Sequence, residues 1–174
     1  AVCTIGPSPP AGSLGAVLEQ VFTLPTANPT RMVSLRLMSN LFAMDLLPVV
    51  VAPQLDHLLG LASSTVDHVG TKGIAIAYTT FLMNAAVYLQ KVTSASAATS
   101  LTLAGLAGDV LERSERETVA PVGVTNALLV IGTLRRESLV KPIDIARYAA
   151  VIKRLAAGAG DEACRAVAAE VSTL

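Results

Sequence analysis

The residues with the clearest chemical character in this sequence are an arginine and an asparagine one helical turn apart. Arg36 and Asn40 belong to the stretch RMVSLRLMSN, residues 31–40, which continues as an apolar helix. Residues four apart lie on the same face of a helix. A guanidinium can hold a carboxylate through two parallel hydrogen bonds, and a neighbouring amide can bind a peptide backbone. The pair therefore predicts recognition of an acidic peptide or of a chain end.

Two further asparagines follow at nearly constant spacing. Asn84 lies 44 residues after Asn40, and Asn126 lies 42 residues after Asn84, each within an apolar helical stretch. This period falls in the range of roughly 40–47 residues that is typical of armadillo and HEAT repeats. The spacing predicts an α-solenoid in which equivalent helices stack and place the three amides on one concave surface.

Two interpretations of these amides remain open. They can form a ladder that clamps an extended peptide, or each can satisfy its hydrogen bonds by tying its helix to the loop of the next repeat. Thr80 occupies the position equivalent to Arg36, and Arg135 can extend a basic surface or simply face water at a helix end. The predicted groove comprises Arg36, Asn40, Thr80, Asn84, Asn126 and Arg135.

The sequence offers no arrangement of residues that supports catalysis or metal binding. His57 and His68 have no partner at metal-ligand spacing, Cys164 has no histidine nearby in the sequence, and no glycine-rich phosphate loop is present. We therefore expect a protein without enzymatic activity, cofactor or metal. Cys3 and Cys164 match no disulfide or redox motif, which favours a reducing compartment.

Prolines and glycines divide the chain into helices with short connections. Residues 1–12 are predicted to be irregular and 13–174 to form one domain. Thr30 and Asp161 are predicted helix N-caps, and Gly158 is a predicted C-cap. Helices are expected at about 13–24, 30–44, 52–63, 71–91, 94–115 and 121–135, then from Pro142 to Gly158 and from Asp161 to the end.

Composition supports an all-α fold and narrows the class of partner. Hydrophobic residues make up 52% of the chain, tryptophan is absent, and alanine, leucine and valine dominate. Thirteen basic and thirteen acidic residues cancel, so no global field favours nucleic acid. Residues 109–117 are mainly acidic and 135–154 mainly basic, which we interpret as a local basic face that for the most part holds solvating charge.

High hydropathy makes a membrane association worth testing. The uncharged runs 73–90 and 118–134 approach the roughly 20 residues that span a bilayer. Each carries an asparagine, and the second also holds Pro121 and Gly123, so we predict that neither crosses a membrane. A lipid-associated helical domain and a structural or oligomerising solenoid remain alternatives to a peptide-binding module.

Three segments of the sequence are similar to a known family. MVSLRLMSNLFA, GIAIAYTTFLMNAAVYLQ and NALLVIGTLRRES resemble the PUL domain of the phospholipase-A-two-activating protein and ubiquitin-fusion-degradation family. Arg36, Asn40 and Phe42 match the first motif, Asn84 matches the second, and the run 132–134 matches the third. The resemblance covers residues 13–174, and it departs from the family at Asn126, where the family has an arginine.

This resemblance implies an armadillo-like solenoid of roughly three to four repeats that belongs to the C-terminal part of a longer domain. It also implies a positively charged groove that binds the acidic C-terminal tail of a hexameric AAA ATPase, valosin-containing protein, in ubiquitin-dependent protein turnover. Ubiquitin would be bound only by other domains of such a protein. The expected location is the cytoplasm and also the nucleus, with no nucleic-acid or membrane partner.

Overall fold

Seven α-helices, joined by short connections and two 3₁₀-helices, form the part of the chain that the computed structural model describes, which is residues 16, 29–43, 55–91, 96–158 and 161–174. No strand occurs within these residues. The α-helices are α1 (Pro29–Ala43), α2 (Leu55–Ser63), α3 (Lys72–Lys91), α4 (Ala97–Ser114), α5 (Pro121–Arg136), α6 (Ala149–Ala157) and α7 (Glu162–Val171). The predicted helix near residues 13–24 and the predicted irregular segment 1–12 lie outside the described residues, Ala16 excepted.

The helices stack in two rows, as a solenoid requires. In the first row α1 packs against α3, α3 against α5, and α5 against α7. In the second row α2 packs against α4, and α4 contacts α6. Each asparagine of the predicted repeat lies in a first-row helix, so the sequence period corresponds to one pair of helices. The predicted all-α, armadillo-like fold is confirmed.

Short-range sequence signals set several helix ends. The Ser96 hydroxyl accepts a hydrogen bond of 3.1 Å from the backbone N–H of Ala98 at the start of α4. The Asp161 carboxylate does the same for Cys164 at the start of α7, also at 3.1 Å, which confirms the predicted N-cap. Pro121 begins α5. A backbone N–H at the first position of a helix has no acceptor within the helix, so proline loses no hydrogen bond there.

The region from Pro142 to Gly158 differs from its prediction. A 3₁₀-helix, Pro142–Tyr148, precedes α6, so the expected single helix is divided at Tyr148. The Tyr148 ring is buried over Gly108 of α4, and its hydroxyl donates to the Gly105 carbonyl at 3.1 Å. This contact between distant residues favours the tighter helical turn. A second 3₁₀-helix, Ser64–His68, was likewise not predicted.

An aromatic cluster joins the first two helices of the first row. The Phe42 ring of α1 lies 5.7 Å from the Phe81 ring and 5.6 Å from the Tyr88 ring of α3, measured between centroids. Phe81 is fully buried. Such tilted aromatic pairs add to the stabilisation that burial of the rings provides. The position of α1 therefore depends on its contact with α3.

None of the helices in the described ranges combines the length and the apolar character that a bilayer crossing needs.

Candidate peptide-binding site

Three of the predicted residues meet at one shallow hollow between α1 and α3. Arg36 and Asn40 are exposed on α1, and Thr80 faces them from α3. The hollow has a volume of about 270 Å³, and its remaining lining comes from Ser39, Ile76 and Ala77. The structure thus brings together a guanidinium, an amide and a hydroxyl over a small apolar floor.

Asn84 adjoins this hollow and connects its two helices. Its Nδ2 donates a hydrogen bond of 2.8 Å to the backbone carbonyl of Ser39, which lines the hollow. The buried Ser39 hydroxyl donates to the Leu35 carbonyl at 2.9 Å within α1. Asn84 is only half-buried, so its remaining polar atoms can still reach a ligand.

Asn126 makes the corresponding connection one helix further along. Its Nδ2 lies 3.4 Å from the hydroxyl oxygens of both Thr79 and Thr80 on α3. The Thr79 hydroxyl donates to the Ala75 carbonyl at 2.8 Å, so its oxygen is free to accept from Asn126. Because Thr80 lines the hollow, Asn126 extends the polar surface onto α5. We call Arg36, Asn40, Thr80, Asn84 and Asn126 the amide band.

The amides therefore form hydrogen bonds between helices and also offer polar groups to a ligand. Asn84 and Asn126 each donate to the preceding helix of the first row, whereas the structural interpretation of these amides was a tie to the loop of the next repeat. Asn40 is exposed and forms no such bond to the described residues. Among the predicted amides, Asn40 is the one whose hydrogen-bonding groups are not used by any described residue.

This difference between the asparagines can be measured. Replacement of Asn84 by alanine should lower the free energy of unfolding by about 1–3 kcal/mol, because the partly buried Ser39 carbonyl loses its side-chain donor. Asn40→Ala is the matched control and should change stability by no more than about 0.5 kcal/mol. Urea denaturation followed by circular dichroism gives both values. Equal effects of the two substitutions would contradict the role of Asn84 as a tie between helices.

Arg135 lies apart from the amide band. It follows Asn126 by nine residues, which at 100° per residue places it on the opposite side of α5. Ser138, with a φ of 56°, turns the chain back after α5, and the Arg135 guanidinium donates to the Val140 carbonyl at 3.2 Å. It also donates to the carbonyl of Leu174. The expectation that Arg135 extends the groove is therefore not met by its placement.

The first three helices of the first row carry basic residues but no acidic ones, a feature not noted from the sequence. Helices α1, α3 and α5 contain no aspartate or glutamate. Their basic residues are Arg31, Arg36, Lys72, Lys91, Arg135 and Arg136. Within the described residues, no carboxylate forms an ion pair with Arg36. The signal was present in the sequence as three helices that contain asparagine but no acid, and it makes the amide band an attractive surface for an anion.

Three of the six basic residues in the predicted basic face at 135–154 form ion pairs, and their side chains remain exposed to solvent. Arg147 pairs with Asp109 at 3.0 Å and with Glu112 at 3.1 Å, although these residues lie 38 and 35 positions away. Arg154 pairs with Glu115 and Arg136 with Glu170. The acidic segment of α4 and the basic C-terminal segment are thus complementary surfaces of neighbouring helices.

Burial, rather than catalytic activation, explains two perturbed ionisable groups in this region. Desolvation, followed by the nearby Asp109 carboxylate, raises the pKa of Tyr148 to about 12. Burial is also the main cause that raises the pKa of the Cys164 thiol, which keeps it protonated and a poor nucleophile at neutral pH. No cluster of three or more potential metal ligands occurs in the described parts of the chain.

Comparison with known proteins identifies the family. The family model described as the PUL domain matches residues 8–170, which is nearly the whole chain. No curated protein and no solved structure shows significant similarity to this chain. The chain therefore belongs to the PUL domain family.

Proposed function

We propose that this chain is a peptide-binding adaptor domain whose amide band binds the acidic C-terminal tail of a hexameric AAA ATPase, valosin-containing protein. The observation that carries the proposal is the meeting of Arg36, Asn40 and Thr80 in one hollow on a face whose helices contain no acidic residue. PUL family membership supports a role in protein–protein interaction. The ATPase and its tail as the specific partner are our inference.

Each part of the band has a definite task in this proposal. Arg36 pairs with a tail carboxylate, because its exposed guanidinium forms no ion pair with a described residue and keeps its N–H donors available. The amides of Asn40 and Asn84 bind backbone groups of an extended peptide, since an amide supplies both donors and an acceptor. Ile76 and Ala77 form the apolar floor under the bound segment. Binding then combines a few polar contacts with the burial of a modest apolar area.

The proposed setting follows from the same interpretation. The chain carries out no chemistry itself and needs no cofactor, and it links the ATPase to ubiquitin only through other domains of a larger protein. It acts in ubiquitin-dependent turnover in the cytoplasm and the nucleus. These statements rest on the family resemblance and on the absence of a catalytic motif in the sequence.

The central test is charge reversal at Arg36. Arg36→Glu should weaken binding of a fluorescein-labelled acidic peptide with a free C-terminal carboxylate by roughly tenfold or more, because an attraction becomes a repulsion. Fluorescence anisotropy gives the dissociation constant, and the wild-type affinity should also fall as salt is raised. Arg165→Glu is the matched control, since Arg165 is an exposed cation on α7 away from the amide band. Equal binding by wild type and Arg36→Glu would remove Arg36 from the site.

A structural or oligomerising solenoid is a second candidate function. It is favoured by two large apolar side chains that are exposed on α1, Val33 at 59% and Leu37 at 47% of their surface. Exposed apolar neighbours of this kind are suited to contact with another domain or another copy. Sedimentation velocity at micromolar concentration separates the candidates, because the adaptor proposal requires peptide binding by the monomer.

A further inference from the structure

A second hollow lies at the C-terminal end of the fold and shares no lining residue with the hollow beside Arg36. It has a volume of about 390 Å³ and is formed by the 3₁₀-helix Pro142–Tyr148, α6, the end of α7 and one side chain from α5. Its lining includes Arg135, Ile145, Ala149, Ile152, Lys153 and Leu174. We call it the C-terminal groove.

The floor of the C-terminal groove is apolar and its wall is low. Ile145 and Ile152 are part of the core and expose only 9% and 3% of their surface, so they present one edge each to the groove. Ala149 at the side of the groove is exposed, and its methyl group is too small to fill the groove. Ile143, in the same 3₁₀-helix, is 76% exposed. An apolar side chain placed here would cover surface that is now in contact with water.

The rim of the groove is cationic. Arg135 and Lys153 line it, and its lining contains no carboxylate side chain. Three arginines near this end, Arg136, Arg147 and Arg154, are each paired with a glutamate or aspartate. Within the described residues neither Arg135 nor Lys153 has such a partner. The groove therefore holds two cations that form no ion pair with a described aspartate or glutamate.

The Arg135 guanidinium is already oriented for a ligand. Hydrogen bonds to the Val140 carbonyl, at 3.2 Å, and to the Leu174 carbonyl use two of its five N–H donors. Leu174 also lines the groove. Leu174 thus places its side chain at the apolar surface while its backbone oxygen accepts a hydrogen bond from Arg135. An incoming peptide would make contacts of the same type.

We infer that the C-terminal groove docks an amphipathic acidic segment of a partner protein, with apolar side chains over Ile145 and Ile152 and carboxylates at Arg135 and Lys153. The charge of the rim selects the acidic residues, and the floor selects the apolar ones. This site is separate from the amide band, so the domain can hold two segments at once. Two weak contacts of this kind on one partner would reinforce each other.

Binding of a synthetic peptide that combines leucines with glutamates provides the test. Lys153→Glu and Ala149→Glu should each weaken its binding to the full chain by roughly tenfold, the first by reversing the rim charge and the second by also obstructing the groove. Arg165→Glu and Ala150→Glu are matched controls that place the same charge on exposed positions outside the groove, and they should bind as wild type does. Thermal melting establishes that every variant is folded.

Nuclear magnetic resonance shows which hollow the peptide occupies. Titration of ¹⁵N-labelled protein should shift the amide signals of Ala149 and Lys153, and a peptide with glutamine in place of glutamate should bind several-fold more weakly. Shifts confined to Thr80 and its neighbours, or equal binding by wild type and Lys153→Glu, would overturn the inference without touching the amide band. Binding of phosphatidylcholine–phosphatidylserine vesicles that is lost in Lys153→Glu would assign the groove to lipid instead and also overturn it.

Discussion

Replacement of Gly108 by alanine is expected to lower the free energy of unfolding by about 3 kcal/mol. A Cβ atom at this position would overlap the ring of Tyr148. The ring cannot move aside easily, because it is 2% exposed and its hydroxyl is bonded to the Gly105 carbonyl. Overpacking of a filled core commonly costs about 1–3 kcal/mol. The rigid aromatic partner puts Gly108→Ala at the upper end of this range.

Gly105 provides a matched control within the same helix. A Cβ atom there meets no heavy atom within 4 Å. Gly105→Ala should therefore stabilise the protein by about 0.5–1 kcal/mol, since alanine loses less conformational freedom in a helix than glycine. Urea unfolding curves of the two variants should shift in opposite directions. If Gly108→Ala were as stable as Gly105→Ala, the Tyr148 ring would not be held over α4.

Replacement of Phe81 by alanine should cost about 3–5 kcal/mol, which is typical for loss of a fully buried phenylalanine. We also expect it to weaken binding at the amide band. Phe42 packs on Phe81, and Phe42 belongs to α1, the helix that carries Arg36 and Asn40. Loss of the ring removes part of the surface that positions α1. Peptide affinity should therefore fall even at temperatures where the variant is folded.

Phe81→Leu is the control for this effect, because leucine fills more of the space and should cost less stability. Calorimetry reports the melting temperature, and hydrogen exchange reports the opening of α1. In Phe81→Ala the amides of α1 should exchange faster than those of α5. Uniform acceleration across both helices would show that α1 has no special dependence on the aromatic cluster.

The architecture could be predicted because several sequence signals agree. The spacing of Asn40, Asn84 and Asn126 marks one repeat, and the capping residues Ser96 and Asp161 mark where helices begin. Local signals of this kind act within one helical turn. The meeting of Arg36 with Thr80 also followed, because equivalent positions of stacked helices face the same side.

The parts that could not be predicted depend on contacts between distant residues. The predicted helix is divided at Tyr148, whose ring packs over Gly108 on α4, 40 positions earlier, a contact that residues 142–148 alone do not reveal. The pairing of Arg147 with Asp109 and Glu112 likewise requires knowledge of which helices are adjacent. Arg135 is different, since its position nine residues after Asn126 already places the two on opposite sides of α5.

Basic and acidic residues are unevenly distributed among the helices of this electrically neutral chain. Helices α1, α3 and α5 hold six of the thirteen basic residues and no acid, which leaves seven basic against thirteen acidic residues in the rest of the chain. A surface with cations and no intervening carboxylates has a positive local potential, which attracts an anionic object during diffusion. Encounters with a negatively charged tail would thus be productive more often than random collision allows, and that kinetic advantage would vanish in concentrated electrolyte.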